Sequence, residues 1–151
     1  MRTIKPKRLQ RGDIIGICAP ASSLPSHDAL EKGIAYIERL GYRVHLAKNL
    51  YRRRGYLAGT DAQRTADIHE LFSNRNVKVI FAARGGFGTQ RLLQLLDYNL
   101  IKRNPKIVVG YSDLTALQFA LLAKVGLVSL SGPLVIEMPL QGKSEELFWR
   151  A

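Results

Sequence analysis

An α/β fold, a parallel sheet with helices on both faces, is predicted by three features of this chain. Short apolar runs alternate with helical patterns of about 10 to 15 residues, the signature of successive βαβ units. The runs are rich in β-branched residues, as buried parallel strands are. Glycine-rich turns follow two of them, at Arg84-Gly85-Gly86-Phe87-Gly88 and around Gly110. Those turns fall at the carboxyl edge of the strands, where such sheets bind ligands.

The elements follow in order. Ile14–Ala19, ended by Pro20, is the first buried strand. Ser26 is placed to cap a helix in which Ala29, Leu30, Gly33, Ile34, Ile37 and Leu40 recur at helical spacing, with Gly41 as its stop. Tyr42–Leu46 is a second strand, alternating Val44 and Leu46 with Arg43 and His45. Thr60-Asp-Ala-Gln63 fits a capping box that opens a helix to about Phe72, with Ala62, Ala66, Ile68, Leu71 and Phe72 as its apolar members. Val77–Ala83 is the third strand, and a short helix with Leu92, Leu93, Leu95 and Leu96 is expected after the glycine turn. Ile107–Val109 is the fourth strand, followed by a helix over Leu114–Ala123 that Gly126 stops. Leu127–Leu130 is a fifth, before Ser131-Gly-Pro133. Ser144–Ala151 reads as an amphipathic helix cut short after about two turns, so the chain is expected to be a fragment of a longer protein.

The 151 residues suffice for about one domain with a sizeable core. No apolar run approaches the roughly 18 to 20 residues of a membrane span, and Ile14–Ala19 is too short for the core of a signal peptide. A cytoplasmic protein without a membrane partner is therefore expected. The single cysteine, Cys18, excludes an internal disulfide and a cysteine-rich metal site, and its strand context predicts burial. The net charge is +11. Its basic residues are scattered, Arg52-Arg53-Arg54 being the densest cluster, with no interleaved aromatic platform. They read as a solvated surface, with no nucleic-acid partner.

The chemistry concentrates at Lys106-Ile-Val-Val-Gly-Tyr-Ser-Asp-Leu-Thr115. A buried strand ends at Gly110 and delivers Ser112 to a tight turn at a helix N-terminus. That geometry lifts a serine Oγ clear of the sheet and sets backbone N–H groups and the helix dipole beside it. Ser112 is thus a candidate nucleophile, and a helix cap is the plainer alternative. The turn at Gly85, Gly86 and Gly88 is neither G-x-G-x-x-G nor a phosphate-binding Gly-Lys-Ser/Thr loop. It can supply an oxyanion-hole amide to partner that of Asp113, or simply be a turn that needs glycine. Arg84 has the planar fork of donors that suits an anion. His27, His45 and His69 each read as structural or solvated, so the chain holds a nucleophile turn without a convincing base.

Several ordered segments together resemble the LD-carboxypeptidases, the muramoyltetrapeptide carboxypeptidase family of serine peptidases. They are Leu9–Ser22, Tyr56–Asp67, Arg84–Gly88, Gly110–Leu117 and Ser131–Pro133, so the resemblance runs over nearly the whole chain. It implies that residues 1–151 are the N-terminal nucleophile domain, of the class I glutamine-amidotransferase-like or flavodoxin-like kind, and that a C-terminal domain lies beyond them. By the same resemblance Ser112 is the nucleophile, and the backbone amides of Gly86 and Asp113 form the oxyanion hole. A glutamate and a histidine of the C-terminal domain complete the triad and map to no residue here. Arg84 and Gly85 are expected on the substrate side, Arg84 meeting a free carboxylate on grounds of its chemistry. The implied reaction removes the terminal D-alanine of a murein tetrapeptide in cell-wall recycling, with no cofactor or metal, in a full-length homodimer. Related members cleave antibiotic peptide–nucleotide conjugates, and an inactive binding domain is a further alternative. Gly86→Ala is expected to keep the N–H and to test conformation alone, at about 1 kcal/mol or more if φ is positive.

Overall fold

The computed structural model describes residues 3–151; Met1 and Arg2, the start of the basic N-terminal stretch, lie outside them. Five strands form one parallel sheet: β1 (Ile14–Cys18), β2 (Arg43–Leu46), β3 (Val77–Ala82), β4 (Ile107–Gly110) and β5 (Leu130–Ser131). Their order is β2-β1-β3-β4-β5, that of the flavodoxin-like doubly wound fold, whose switch point lies between β1 and β3. The helices are α1 (His27–Arg39), α2 (Asp61–Ser73), α3 (Tyr98–Arg103), α4 (Thr115–Val125) and α5 (Gly142–Arg150).

Because side chains alternate along a strand, the sheet has two apolar faces and therefore two cores. Ile15, Ile17, Val79, Phe81 and Val109 pack with Leu30, Tyr36 and Ile37 of α1 and with Phe148 and Trp149 of α5. Cys18, Ile80, Ala82 and Val108 pack with Ile68, Leu71 and Phe72 of α2, Ile101 of α3 and Leu117 and Leu121 of α4. Burial pushes the Cys18 thiol well above its usual range, as suits a structural cysteine. Among the described residues no helix is long and apolar enough to cross a membrane.

Several local expectations hold to the atom. Gln63 N–H donates to Thr60 Oγ1 at 3.1 Å and Thr60 N–H to Gln63 Oε1 at 2.9 Å, so the capping box is formed. Gly41 and Gly126 take positive φ at the ends of α1 and α4. Ser26 occupies the N-cap position of α1, although its side chain makes no capping hydrogen bond.

Other segments differ, each for a physical reason. The short helix after the glycine turn is a single 3-10 turn, Thr89–Leu92. The regular helix starts only where Asp97 Oδ1 accepts the Leu100 N–H at 2.9 Å, a cap that founds α3. The last strand is Leu130–Ser131, because Ile4 takes the backbone groups nearer Leu127. Ile4 N–H donates to Gly126 O at 2.7 Å and Val128 N–H to Ile4 O at 3.0 Å. In α2, Ala62 and Ala66 are exposed, while Arg64, Thr65 and Asp67 are buried. That stripe faces loop carbonyls and amides: Asp67, for instance, accepts from Asn49 Nδ2 at 2.8 Å.

Gly33 shows how close the packing is. A Cβ there would lie 2.2 Å from Val135 O, so the backbone of α1 lies directly against the backbone of the Val135–Glu137 turn. Glycine to alanine within a helix ordinarily gains about 1 kcal/mol. Here overpacking outweighs propensity, and Gly33→Ala should destabilise the chain by about 1–3 kcal/mol. A lowered melting temperature is the expected result; a raised one contradicts this packing.

Candidate active site at the carboxyl edge of the sheet

Three loops meet where β1, β3 and β4 end. The loop after β1 carries Ser22 and Ser23, that after β3 carries Arg84–Gly88, and that after β4 carries Tyr111 and Ser112. Ser112 has φ +62° and is the one non-glycine residue with positive φ among the described residues. A left-handed serine costs about 1–2 kcal/mol, and such residues concentrate at functional turns. Gly110, at φ +151°, releases the strand into this bend. Its carbonyl is held by Gln118 Nε2 at 3.0 Å and by the Gly132 N–H at 3.2 Å. Ser112 is exposed and begins a 3-10 turn, Ser112–Leu114, that runs directly into α4. The dipole of that helical start favours negative charge beside the serine.

The glycine turn lies against the serine. A Cβ placed on Gly85 would sit 2.9 Å from Ser112 Cβ, 3.0 Å from its Oγ and 3.7 Å from the Asp113 nitrogen. Only glycine fits there. The Asp113 carboxylate braces the assembly, its Oδ2 accepting the Thr89 N–H at 2.7 Å. Tyr111 is anchored on the other side, where its hydroxyl donates to Glu137 Oε1 at 2.5 Å, which raises the phenol pKa. Among the described residues, neither the Gly86 N–H nor the Asp113 N–H has a hydrogen-bond acceptor.

Gly86 departs from expectation in one respect. Its φ is +113°, and a Cβ there would lie 2.1 Å from Ser22 Oγ and 2.6 Å from Ser22 Cβ. Gly86→Ala therefore forces the β1 loop away and does not isolate conformation. Arg84 is half-buried, and one of its nitrogens, Nη1, donates to Ser23 O at 2.8 Å. It thus has a structural task, with its remaining donors still to be used.

Two participants escaped the sequence reading. Ser22 lies under the glycine turn, and the wholly buried Arg64 donates from Nη1 to Gly88 O at 3.0 Å and to Pro20 O. Its Nη2 donates to Asp61 Oδ1 at 2.5 Å. The Arg91 guanidinium also grips Asp61, and these hydrogen bonds hold its carboxyl below the usual range. The A-P-A-S run around Ser22 was a signal that could have been read; nothing marked Arg64 out within its helix.

The histidines are engaged elsewhere. His27 packs edge-on against Tyr51 at 4.8 Å between ring centroids. His45 Nε2 lies 3.1 Å from Glu70 Oε1. His69 Nε2 accepts the Asp97 N–H at 2.8 Å, and burial lowers its pKa. Among the described residues no cluster of three or more His, Cys, Asp or Glu side chains could hold a metal.

The domain is flavodoxin-like and presents a left-handed serine beside a glycine turn at the carboxyl edge of its sheet. Residues 15–132 match the family described as LD-carboxypeptidase N-terminal domain, and the chain belongs to that family. It is 45% identical over 131 residues to a probable murein peptide carboxypeptidase of Bacillus subtilis, covering 87% of this chain and 41% of that protein. It is 35% identical over 128 residues to the microcin C7 self-immunity protein MccF of Escherichia coli, covering 83% of this chain and 37% of that one. The fold superposes on the crystal structure of an MccF-like protein from Bacillus anthracis with a TM-score of 0.87 and 34% identity, covering 89% of this chain and 42% of that chain. The chain therefore spans about two fifths of the length of the curated relatives it matches.

Strain at Ser112 can be measured apart from any activity. Alanine at 112 keeps the left-handed penalty and glycine removes it, so Ser112→Gly should exceed Ser112→Ala in stability by about 1 kcal/mol. Denaturant midpoints compare the two. Equal stability, or a more stable alanine form, contradicts a strained turn.

Proposed function

We propose that the chain is the nucleophile-bearing N-terminal domain of a serine LD-carboxypeptidase whose C-terminal domain lies across the cleft. The observation that carries this reading is Ser112 at φ +62°, packed against the Cα of Gly85. Its reaction removes the terminal D-alanine of a murein tetrapeptide, and the Bacillus subtilis relative's name supports that substrate. Cytoplasmic cell-wall recycling, by a homodimer that needs no cofactor or metal, is the setting this reading gives it.

The chemistry follows the serine-hydrolase pattern. Ser112 Oγ attacks the carbonyl carbon that precedes the terminal D-residue, and its proton passes to a histidine of the C-terminal domain, oriented there by a glutamate. The N–H groups of Gly86 and Asp113 receive the oxyanion, each donor worth roughly 3 to 4 kcal/mol. The histidine then protonates the leaving amine, D-alanine departs, and water releases the acyl group from Ser112. Gly85, lacking a side chain, lets substrate lie close to the serine. The donors of Arg84 left free by Ser23 take the terminal carboxylate.

A second reading is favoured by the likeness to MccF and to the MccF-like structure. In it the same site cleaves an antibiotic peptide–nucleotide conjugate. The two are separated by comparing kcat/KM for a murein tetrapeptide and for an aminoacyl nucleotide on the full-length enzyme. Higher kcat/KM on the tetrapeptide is expected.

In the full-length enzyme, Ser112→Ala should lower D-alanine release by more than about a thousandfold while the protein stays folded. Release within about tenfold of the parent removes Ser112 from the mechanism. The 151-residue chain alone should release none, since its histidines are committed elsewhere. Turnover by the chain alone would identify one of them as the base.

A further inference from the structure

Gly85 and Gly86 form the most pliant dipeptide of the site, since neither has a side chain to restrict its backbone. The peptide between them can rotate as a unit, exchanging the direction of the Gly86 N–H for that of the Gly85 C=O. One orientation offers a donor to an oxyanion; the other offers a carbonyl oxygen that repels it. Something must select the first.

From the contacts around Gly86 we infer that Ser22 is a positioning residue that locks this peptide with its N–H toward the cleft, an inference that rests on the proposed hydrolase reading. Ser22 grips the turn on both sides of Gly86. Its backbone N–H donates to Gly85 O at 3.4 Å, and its Oγ accepts the Phe87 N–H at 3.1 Å. The Gly85–Gly86 peptide is trans, so its N–H points opposite to its C=O. Holding Gly85 O against the β1 loop therefore turns the Gly86 N–H away from Ser22. The second grip fixes the next peptide plane and with it the left-handed φ of +113° at Gly86.

Ser22 also fills the space that a side chain at 86 would need, 2.1 Å from the ideal Cβ position. It is 8% exposed, so water competes little for its hydroxyl. The loop that carries it is itself tied down. Arg84 Nη1 donates to Ser23 O at 2.8 Å, the Ser23 N–H donates to Tyr56 O at 2.8 Å, and Arg64 reaches Pro20 O. Ser22 makes no hydrogen bond to Ser112 and, on the proposed mechanism, meets none of the reacting atoms. It acts through Gly86.

Ser22→Ala removes the hydroxyl and keeps the Cβ, so the fold should survive it. In the full-length enzyme kcat for D-alanine release should fall at least about tenfold, with KM within about twofold, because the backbone grip on Gly85 O alone leaves the φ of Gly86 unfixed, and the poorly aimed Gly86 N–H serves only the transition state. Affinity for a phosphonate transition-state analogue should weaken by the same factor, whereas affinity for the product peptide should not change. In the 151-residue chain, the Phe87 amide should exchange with solvent faster in Ser22→Ala, with the melting temperature little altered. A kcat within about twofold of the parent, in an assay where Ser112→Ala is inactive, overturns the lock and leaves the hydrolase reading standing. Unchanged Phe87 exchange overturns it as well, whatever Ser112→Ala does. Full activity of Ser112→Ala would instead overturn the hydrolase reading, and the lock's catalytic role with it.

Discussion

The left-handed backbone at Ser112 is the constraint around which the edge of the sheet is arranged. An L-residue at φ +62° is unfavourable on its own, so the surroundings must over-determine it. Gly110 gives the strand its sharp exit, and Gln118 reaches back from α4 to hold both Gly110 O and Leu130 O, at 3.0 and 2.9 Å. Asp113 ties the far side of the bend to Thr89, and Tyr111 ties the near side to Glu137. The serine can sit where it does because the residue packed beside it, Gly85, has no side chain to meet its Cβ and Oγ. The strain is thus local and its compensation distributed, the usual economy of a functional turn.

Topology decides which loops take part. In the order β2-β1-β3-β4-β5 the crossovers diverge between β1 and β3, the place at which sheets of this kind bind ligands. β4 adjoins β3, so its turn falls beside the loops that leave β1 and β3. The glycine turn is consequently pressed between two neighbours: the serine of the β4 loop on one side and Ser22 of the β1 loop on the other. Arg64 reinforces the junction from α2, with one buried guanidinium joining Pro20 O, Gly88 O and Asp61. A charge at that depth is tolerable because it meets both a carboxylate and carbonyl oxygens.

Elements whose signal is local were legible in the sequence. The Thr60–Gln63 box, the glycine stops at 41 and 126, and the Gly110-x-Ser112 bend each depend on a few adjacent residues. Fold class followed because alternating apolar runs leave few other architectures. What failed depended on distant partners. Ala62 and Ala66 suited a helical stripe, yet α2 turns Arg64 and Asp67 inward because loop carbonyls and amides wait there. Leu127–Val128 read as strand, yet Ile4, over a hundred residues away in sequence, claims those backbone groups. The role of Arg64 was invisible for the same reason, as its contacts with Pro20 O and Gly88 O lie outside any local window, whereas the motif ending at Ser22 was legible without its partner at Gly86. Gly86 was legible as a positive-φ glycine but not as one whose missing side chain is replaced by Ser22.

The central claim is that Ser112 and the amides of Gly86 and Asp113 form one reaction centre. It is tested most directly by the structure of the full-length enzyme bearing a peptide boronate or phosphonate that mimics the tetrahedral intermediate. The account requires a covalent bond to Ser112 Oγ, with one oxygen of the adduct about 2.7–3.1 Å from both amide nitrogens. An adduct on another residue, or an oxygen that meets neither amide, would contradict it.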